Sequence, residues 1–210
     1  MAETDIHRDQ MTYLIESLKT HFRDDPQVYV AGNLFIYHEE GYPYNRVAPD
    51  VFVVFGVPKK KRRIYKLWEE KKSPDVVIEV SSRGTRRQDL WEKRGLFESM
   101  GVREYFLFDP LSEYLDPPLQ GYRLEEGWYR PLETQVGPQG ECQLHSDVLG
   151  LELRTENGFL RLYDPSTGAK LLTHAEAQEQ AWQEAELRRR AEERIARLEA
   201  ELARLRGETG

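Results

Sequence analysis

Pro74-Asp75-Val76-Val77-Ile78-Glu79-Val80-Ser81 reads as a β-strand buried on both faces with an acid inside it. A carboxylate at Glu79, between Ile78 and Val80, is costly to bury unless a cation or hydrogen-bond donors compensate it. An earlier run, Pro49-Asp50-Val51-Phe52-Val53-Val54, has the same character, with Asp50 leading into a wholly apolar strand. Two acids carried by neighbouring core strands suggest a divalent metal site. The plainer reading makes each of them a strand-end carboxylate with a local hydrogen bond. Asp75, directly after Pro74, fits that reading best, although alternation along the strand points it to the same face as Glu79.

Outward from this strand, the chain orders itself as an α/β domain. Residues 5–23 have helical spacing, with Met11, Leu14, Ile15, Leu18 and Phe22 on one stripe, and Asp24-Asp25-Pro26 ends them. Val28-Tyr29-Val30 and Leu34-Phe35-Ile36-Tyr37 flank Gly32-Asn33, the pattern of a hairpin. After Glu79 a loop leads to a helix with Thr85 as its N-cap and Gly101 past its end. Val102 to Asp109 then forms a third core strand, parallel to the second because a helix lies between them. From Gln120 to Tyr163, short strands separated by Glu126-Gly127, Pro138-Gln139-Gly140 and Asn157-Gly158 read as an antiparallel extension of the same sheet.

The chain has 210 residues, 39% of them hydrophobic, with a net charge of −7 and one cysteine, Cys142. That composition allows one domain plus an appendage. It excludes a disulfide framework, a cysteine-rich zinc site and a generic polyanion binder. No signal-peptide pattern and no membrane-length apolar run is visible, so a soluble cytoplasmic protein is expected. The boundary falls near residue 172. Residues 173–210 are rich in Ala, Glu, Arg, Gln and Leu, and Ala191, Ile195, Leu198, Leu202 and Leu205 follow a heptad seam. This tail is expected to be a coiled-coil-like helix that makes a homodimer or higher homo-oligomer, or recruits a protein partner.

Lys93 lies on the helix after Glu79 and can fold back toward its carboxylate, although it equally fits an i,i+4 pair with Asp89. Beside two metal-held carboxylates, its ammonium would orient a water and stabilise charge on a phosphoryl group. Gln88 and Asp89 are weaker candidates for supporting roles. Magnesium prefers oxygen ligands and keeps several waters, so Asp50, Glu79 and a backbone carbonyl near Val80 make a suitable set. Lys59, Lys60, Lys61, Arg62 and Arg63 form a basic run between the acidic strands, and Arg83, Arg86 and Arg87 follow Glu79. Together they are a candidate phosphate-binding surface; a solvated basic loop is the alternative. Tyr42, Tyr44, Tyr65 and Trp68 could stack on bases, though packing roles explain them as well.

Pro49-Asp50, Glu79-Val80-Ser81 and Lys93 resemble the PD-(D/E)XK nuclease pattern in an atypical form. Ser81 stands where the lysine is expected, two residues after the acid. The longer string from Pro74 to Ser82, with Asp89, Lys93, Gly101-Val102-Arg103-Glu104-Tyr105 and Asp109-Pro110, is similar to the bacterial Uma-two family of restriction-endonuclease-like proteins. The resemblance spans residues 25–165 and is most specific over 47–110. It implies a restriction-endonuclease-like mixed central sheet flanked by helices, and Mg²⁺-dependent hydrolysis of DNA, with Mn²⁺ as the alternative ion. By position it makes Asp50 and Glu79 metal ligands and Lys93 the catalytic lysine, with Glu16 as an accessory acid from the first helix. Ser81 supports an alternative function, a nuclease-fold binding or interaction module without catalysis. A structural protein organised by its coiled coil is a third reading.

Overall fold

Helix α1 (Asp5–His21) begins where Thr4 caps it, its side chain accepting from the His7 N–H at 3.2 Å. It ends where the Lys59 ammonium donates to the carbonyls of Phe22 and Arg23, at 2.7 and 3.1 Å, a cation on the negative end of the helix. The computed structural model describes residues 4–81 and 88–207. The chain divides into a unit ending at Leu171 and a second beginning at Leu172.

The first unit is built on a six-stranded sheet. Its strands are β1 (Val28–Ala31), β4 (Val51–Phe55), β6 (Val76–Val80), β7 (Glu104–Phe108), β8 (Leu119–Glu125) and β9 (Trp128–Pro131), in that spatial order. β6 and β7 are parallel, as the intervening helix requires, and the other pairs are antiparallel. Side-chain alternation sends Val76, Ile78 and Val80 into one core with Tyr13, Leu14 and Leu18. Val77 goes to the opposite core, with Phe97 and Tyr105. Burial on both faces explains why β6 reads as a continuous apolar run.

The helical region after β6 starts, within the described residues, as a π-helical segment over Gln88–Lys93, followed by α3 (Arg94–Ser99). The expected cap at Thr85 lies outside the described residues. Gly101 takes φ +76°, the left-handed geometry that stops the helix.

Two expectations of strand pairing are corrected. Gly32-Asn33 does not close a hairpin: β1 joins the main sheet, whereas β2 (Ile36–Tyr37) pairs with β3 (Arg46–Val47) and β5 (Tyr65–Lys66) in a separate three-stranded sheet. β5 runs into a single helical turn, α2 (Leu67–Glu70). The strands after Gln120 also divide. β8 and β9 extend the main sheet, but β10 (Gln135–Val136), β11 (Cys142–Ser146), β12 (Leu151–Glu156) and β13 (Phe159–Tyr163) form a sheet of their own. The tight turns are as expected, with Glu126-Gly127 and Asn157-Gly158 each in paired left-handed conformations.

Polar groups join these layers. Gln10 both donates to and accepts from the backbone of Leu160, at 2.9 and 2.8 Å, and the Tyr13 hydroxyl accepts from Leu162 N–H while donating to the Leu171 carbonyl. Fully buried Glu104 accepts from the Arg123 guanidinium at 2.9 and 3.1 Å, from Asp147 N–H at 3.1 Å and from the Ser146 hydroxyl. This one carboxylate ties the main sheet to the β11–β12 turn.

The second unit is dominated by α4 (His174–Gly207), a helix of 34 residues on which Trp182, Leu187, Ile195, Leu198 and Leu202 are exposed. Among the described residues, no helix is long and apolar enough to cross a membrane.

Glu104→Ala would leave the Ser146 hydroxyl and the Asp147 N–H without their acceptor, while the half-buried Arg123 keeps its pair with the Asp147 carboxylate at 2.7 Å. A loss of about 1–3 kcal/mol is expected, the cost of leaving buried donors unsatisfied. Urea unfolding followed by circular dichroism measures it.

Candidate active site

β4 and β6 run antiparallel with Val51 opposite Ile78, so one step outward Asp50 faces Glu79. Asp50 Oδ2 accepts the Val80 N–H at 2.8 Å and lies 3.1 Å from His7 Nε2. Glu79 is fully buried, and its Oε2 accepts from the Lys93 ammonium at 3.0 Å. Lys93 ends the π-helical segment, a widened turn of the kind that recurs at functional sites because it re-aims side chains. Burial alone would raise the Asp50 carboxyl. The hydrogen bond and charge of His7, the Val80 N–H and the adjoining Glu79 carboxyl together hold it below the ordinary carboxylate range. Asp50 is therefore ionised at neutral pH.

The backbone that presents Asp50 is fixed from below by the Gly32-Asn33 crossing. Asn33 N–H donates to the Pro49 carbonyl at 2.8 Å. A Cβ on Gly32 would collide with the Asp50 carbonyl oxygen and the Ile15 side chain. Glycine is needed here for a close approach of two chain segments, not for a turn between two strands.

The structure brings Asp50, Glu79 and Lys93 together and leaves the accessory acids apart. Asp75 is at the other end of β6, where its Oδ2 accepts the Phe55 N–H at 2.8 Å and its Oδ1 pairs with Lys72 at 3.1 Å. Four residues of strand separate it from Glu79, about 13 Å. Glu16 is on the exposed face of α1. The residue that α1 does contribute is His7, on the same buried stripe as Gln10 and Tyr13. Its sequence signal was faint: polar residues recurring at helical spacing on an otherwise apolar face. The side chain of Gln88 lies outside the described residues.

Of the basic run, Lys59 is committed to the end of α1. Arg62 forms a two-pronged pair with Glu70 at 2.8 and 2.9 Å and stacks 4.2 Å over the Tyr29 ring. Arg62, with Lys60 at 3.3 Å, pulls the Glu70 carboxyl down to about 2. Lys61 and Arg63 face solvent. Arg83, Arg86 and Arg87 lie outside the described residues.

The donor set fits a hard divalent ion in a particular way. Among the described residues, no three His, Cys, Asp or Glu side chains are grouped to enclose an ion. Two carboxylates at the head of adjacent strands do match magnesium, which is held by one or two acids and retains its waters. Ser81 is buried, donates its N–H to the Phe108 carbonyl at 2.6 Å, and has a hydroxyl without a hydrogen-bond partner among the described residues. The ammonium near Glu79 thus comes from the helix, not from the strand position two residues on.

A family model described as "Putative restriction endonuclease", Uma2, matches residues 1–156. The chain belongs to the Uma2 family. The Uma2 match takes in all of α1 and the whole Asp50–Glu79–Lys93 cluster. Among solved structures, one that it resembles is titled a putative nuclease belonging to DUF820, from Anabaena variabilis ATCC 29413. The two are 13% identical with a TM-score of 0.47, over 67% of this chain and 76% of that one. No curated protein matches.

Gly32→Ala should push the Pro49-Asp50 backbone away from β6 and cost about 1–3 kcal/mol, as overpacking does. In a ¹⁵N-labelled sample, the Val80 amide resonance, which reports the hydrogen bond to Asp50, should shift more than that of Leu153 in the second sheet. Equal small shifts at both would mean that the crossing does not set Asp50.

Proposed function

We propose that this Uma2 chain is a divalent-metal-dependent endonuclease hydrolysing DNA phosphodiester bonds in the cytoplasm. Asp50 and Glu79 are its metal ligands, for Mg²⁺ or Mn²⁺, and Lys93 is its catalytic lysine. The observation that carries this reading is the meeting of a buried carboxylate, a half-buried one and an ammonium from two strands and a helix. Each acid has a basic neighbour, His7 for Asp50 and Lys93 for Glu79, and it is the adjacency of the two acids on neighbouring strands that supports a cation site.

Bound there, the ion would polarise the phosphodiester and lower the pKa of a coordinated water. His7 and the Val80 N–H hold the Asp50 carboxylate in orientation and in its ionised form. The Lys93 ammonium, in contact with Glu79, would orient the attacking water and stabilise negative charge gathering on the phosphoryl oxygens. The water oxygen bonds to phosphorus as one ester P–O bond breaks. The water's proton passes to solvent, and the departing alkoxide takes one up.

Supercoiled plasmid incubated with the protein and Mg²⁺ or Mn²⁺ should be nicked or linearised, and EDTA should stop the reaction. Asp50→Ala and Lys93→Ala should each lower the rate by about 100-fold or more with an unchanged circular dichroism spectrum. Plasmid that stays intact with either ion would remove the enzyme reading. The alternative, a nuclease-fold module that binds without cutting, draws on the buried serine at position 81. It predicts DNA binding that Asp50→Ala leaves unchanged.

We also propose that α4 joins copies of the chain as a coiled coil. Ile195, Leu198 and Leu202 are at least half exposed along one heptad stripe, an apolar seam that a second helix would cover. Light scattering should give the mass of a dimer or larger assembly, falling to the monomer in Leu198→Glu/Leu202→Glu. If the wild-type mass is that of one chain, any role of the seam lies with another protein.

A further inference from the structure

An open groove of about 650 Å³ runs along β1, an outer strand of the six-stranded sheet. One wall is the C-terminal half of α1 and the other is the segment 59–62. Ile15, Phe22, Val30 and Leu34 give it an apolar lining. Gly32, the residue packed against the Asp50 carbonyl, lies at one end of β1, and Lys59 is hydrogen-bonded to Pro26 just before the other. The groove therefore follows four residues of strand, about 13 Å, away from the backbone of Asp50.

The cations around it are of two kinds. Lys59, Lys60 and Arg62 are tied to the end of α1 or to Glu70, and Arg23 is paired with Asp24. Lys19 on one wall and Lys61 on the other are exposed and have no ion-pair partner among the described residues. A protein with net charge −7 thus keeps one unengaged ammonium on each side of an apolar trough that starts beside the backbone of Asp50.

We propose that this groove binds an unpaired stretch of the DNA strand leading to Asp50 and Glu79, an inference that rests on the endonuclease reading above. The two ammonium groups take backbone phosphates, and the apolar lining takes base faces. Duplex DNA keeps its base faces stacked and presents phosphates and groove edges, which leaves an apolar trough unfilled. An unpaired strand offers anionic backbone and apolar base faces together. The volume is in the range that encloses a drug-sized ligand, which corresponds to about one or two nucleotides. The preferred substrate is then DNA with a single-stranded segment, such as a flap, bubble or overhang.

The test measures fluorescence anisotropy of a labelled oligothymidine and of a duplex of equal length, in EDTA, with the full-length protein. Wild type should bind the single strand more tightly than the duplex. Lys19→Glu/Lys61→Glu should weaken single-strand binding by at least tenfold and lower the slope of log K against log salt by about 1.4, two phosphate contacts' worth. Arg130→Glu, on the exposed opposite edge strand β9, should change neither. The proposal is overturned if the double variant binds like wild type, if duplex is preferred, or if an acidic peptide binds the groove while oligothymidine does not. Cleavage separates the two readings. Groove-dependent binding without cutting in Mg²⁺ or Mn²⁺ would sink the endonuclease reading alone. Cutting that survives the double variant with unchanged affinity would sink the groove alone.

Discussion

A carboxylate in the central strand of a sheet covered on both faces has no water to solvate it, and the first unit is arranged around that constraint. Glu79 sits fully buried near the end of β6, and the chain supplies an ammonium to it from the helix that follows. Asp50 arrives opposite because β4 is antiparallel and in register, and it too is provided with donors, a backbone N–H and an imidazole. Holding two acids side by side inside a protein takes several groups whose own positions must be fixed. The Gly32-Asn33 crossing, the π-helical turn and the first turn of α1 are how this fold fixes them.

The acidic strands were legible because their signals are local. Continuous Val, Ile and Phe between Pro and Ser can only be a doubly buried strand, and an acid inside such a run is conspicuous. The parallel pairing of β6 and β7 followed from the helix between them. What stayed hidden was long-range. Gly32-Asn33 has the composition of a hairpin turn, yet the reason for its glycine is a carbonyl eighteen positions later in the chain. His7 is one histidine on a helix, and nothing nearby announces that Asp50 will meet it. Strand spacing is the same whether the later strands join the first sheet or form another; the link between the two layers is Glu104, which takes Arg123 from its own sheet and Ser146 and Asp147 from the other.

The basic run is instructive in a different way. Five consecutive cations look like a solvated patch, but a guanidinium can stack on a tyrosine and grip a carboxylate at once, as Arg62 does with Tyr29 and Glu70. A lysine can equally serve the carbonyls at a helix end. Charge density in sequence therefore overstates charge density at the surface. What remains available is decided by which side chains the fold has already used.

His7, Gln10 and Tyr13 occupy successive positions on the buried stripe of one helix. The first touches Asp50, and the other two are hydrogen-bonded to the backbone of β13. The N-terminal half of helix α1 is thus pinned to β13 within about two turns of the histidine that bears on the acid. A displacement of the β13 backbone is therefore carried through α1 to His7 and so to Asp50, although the strand and the acid never touch.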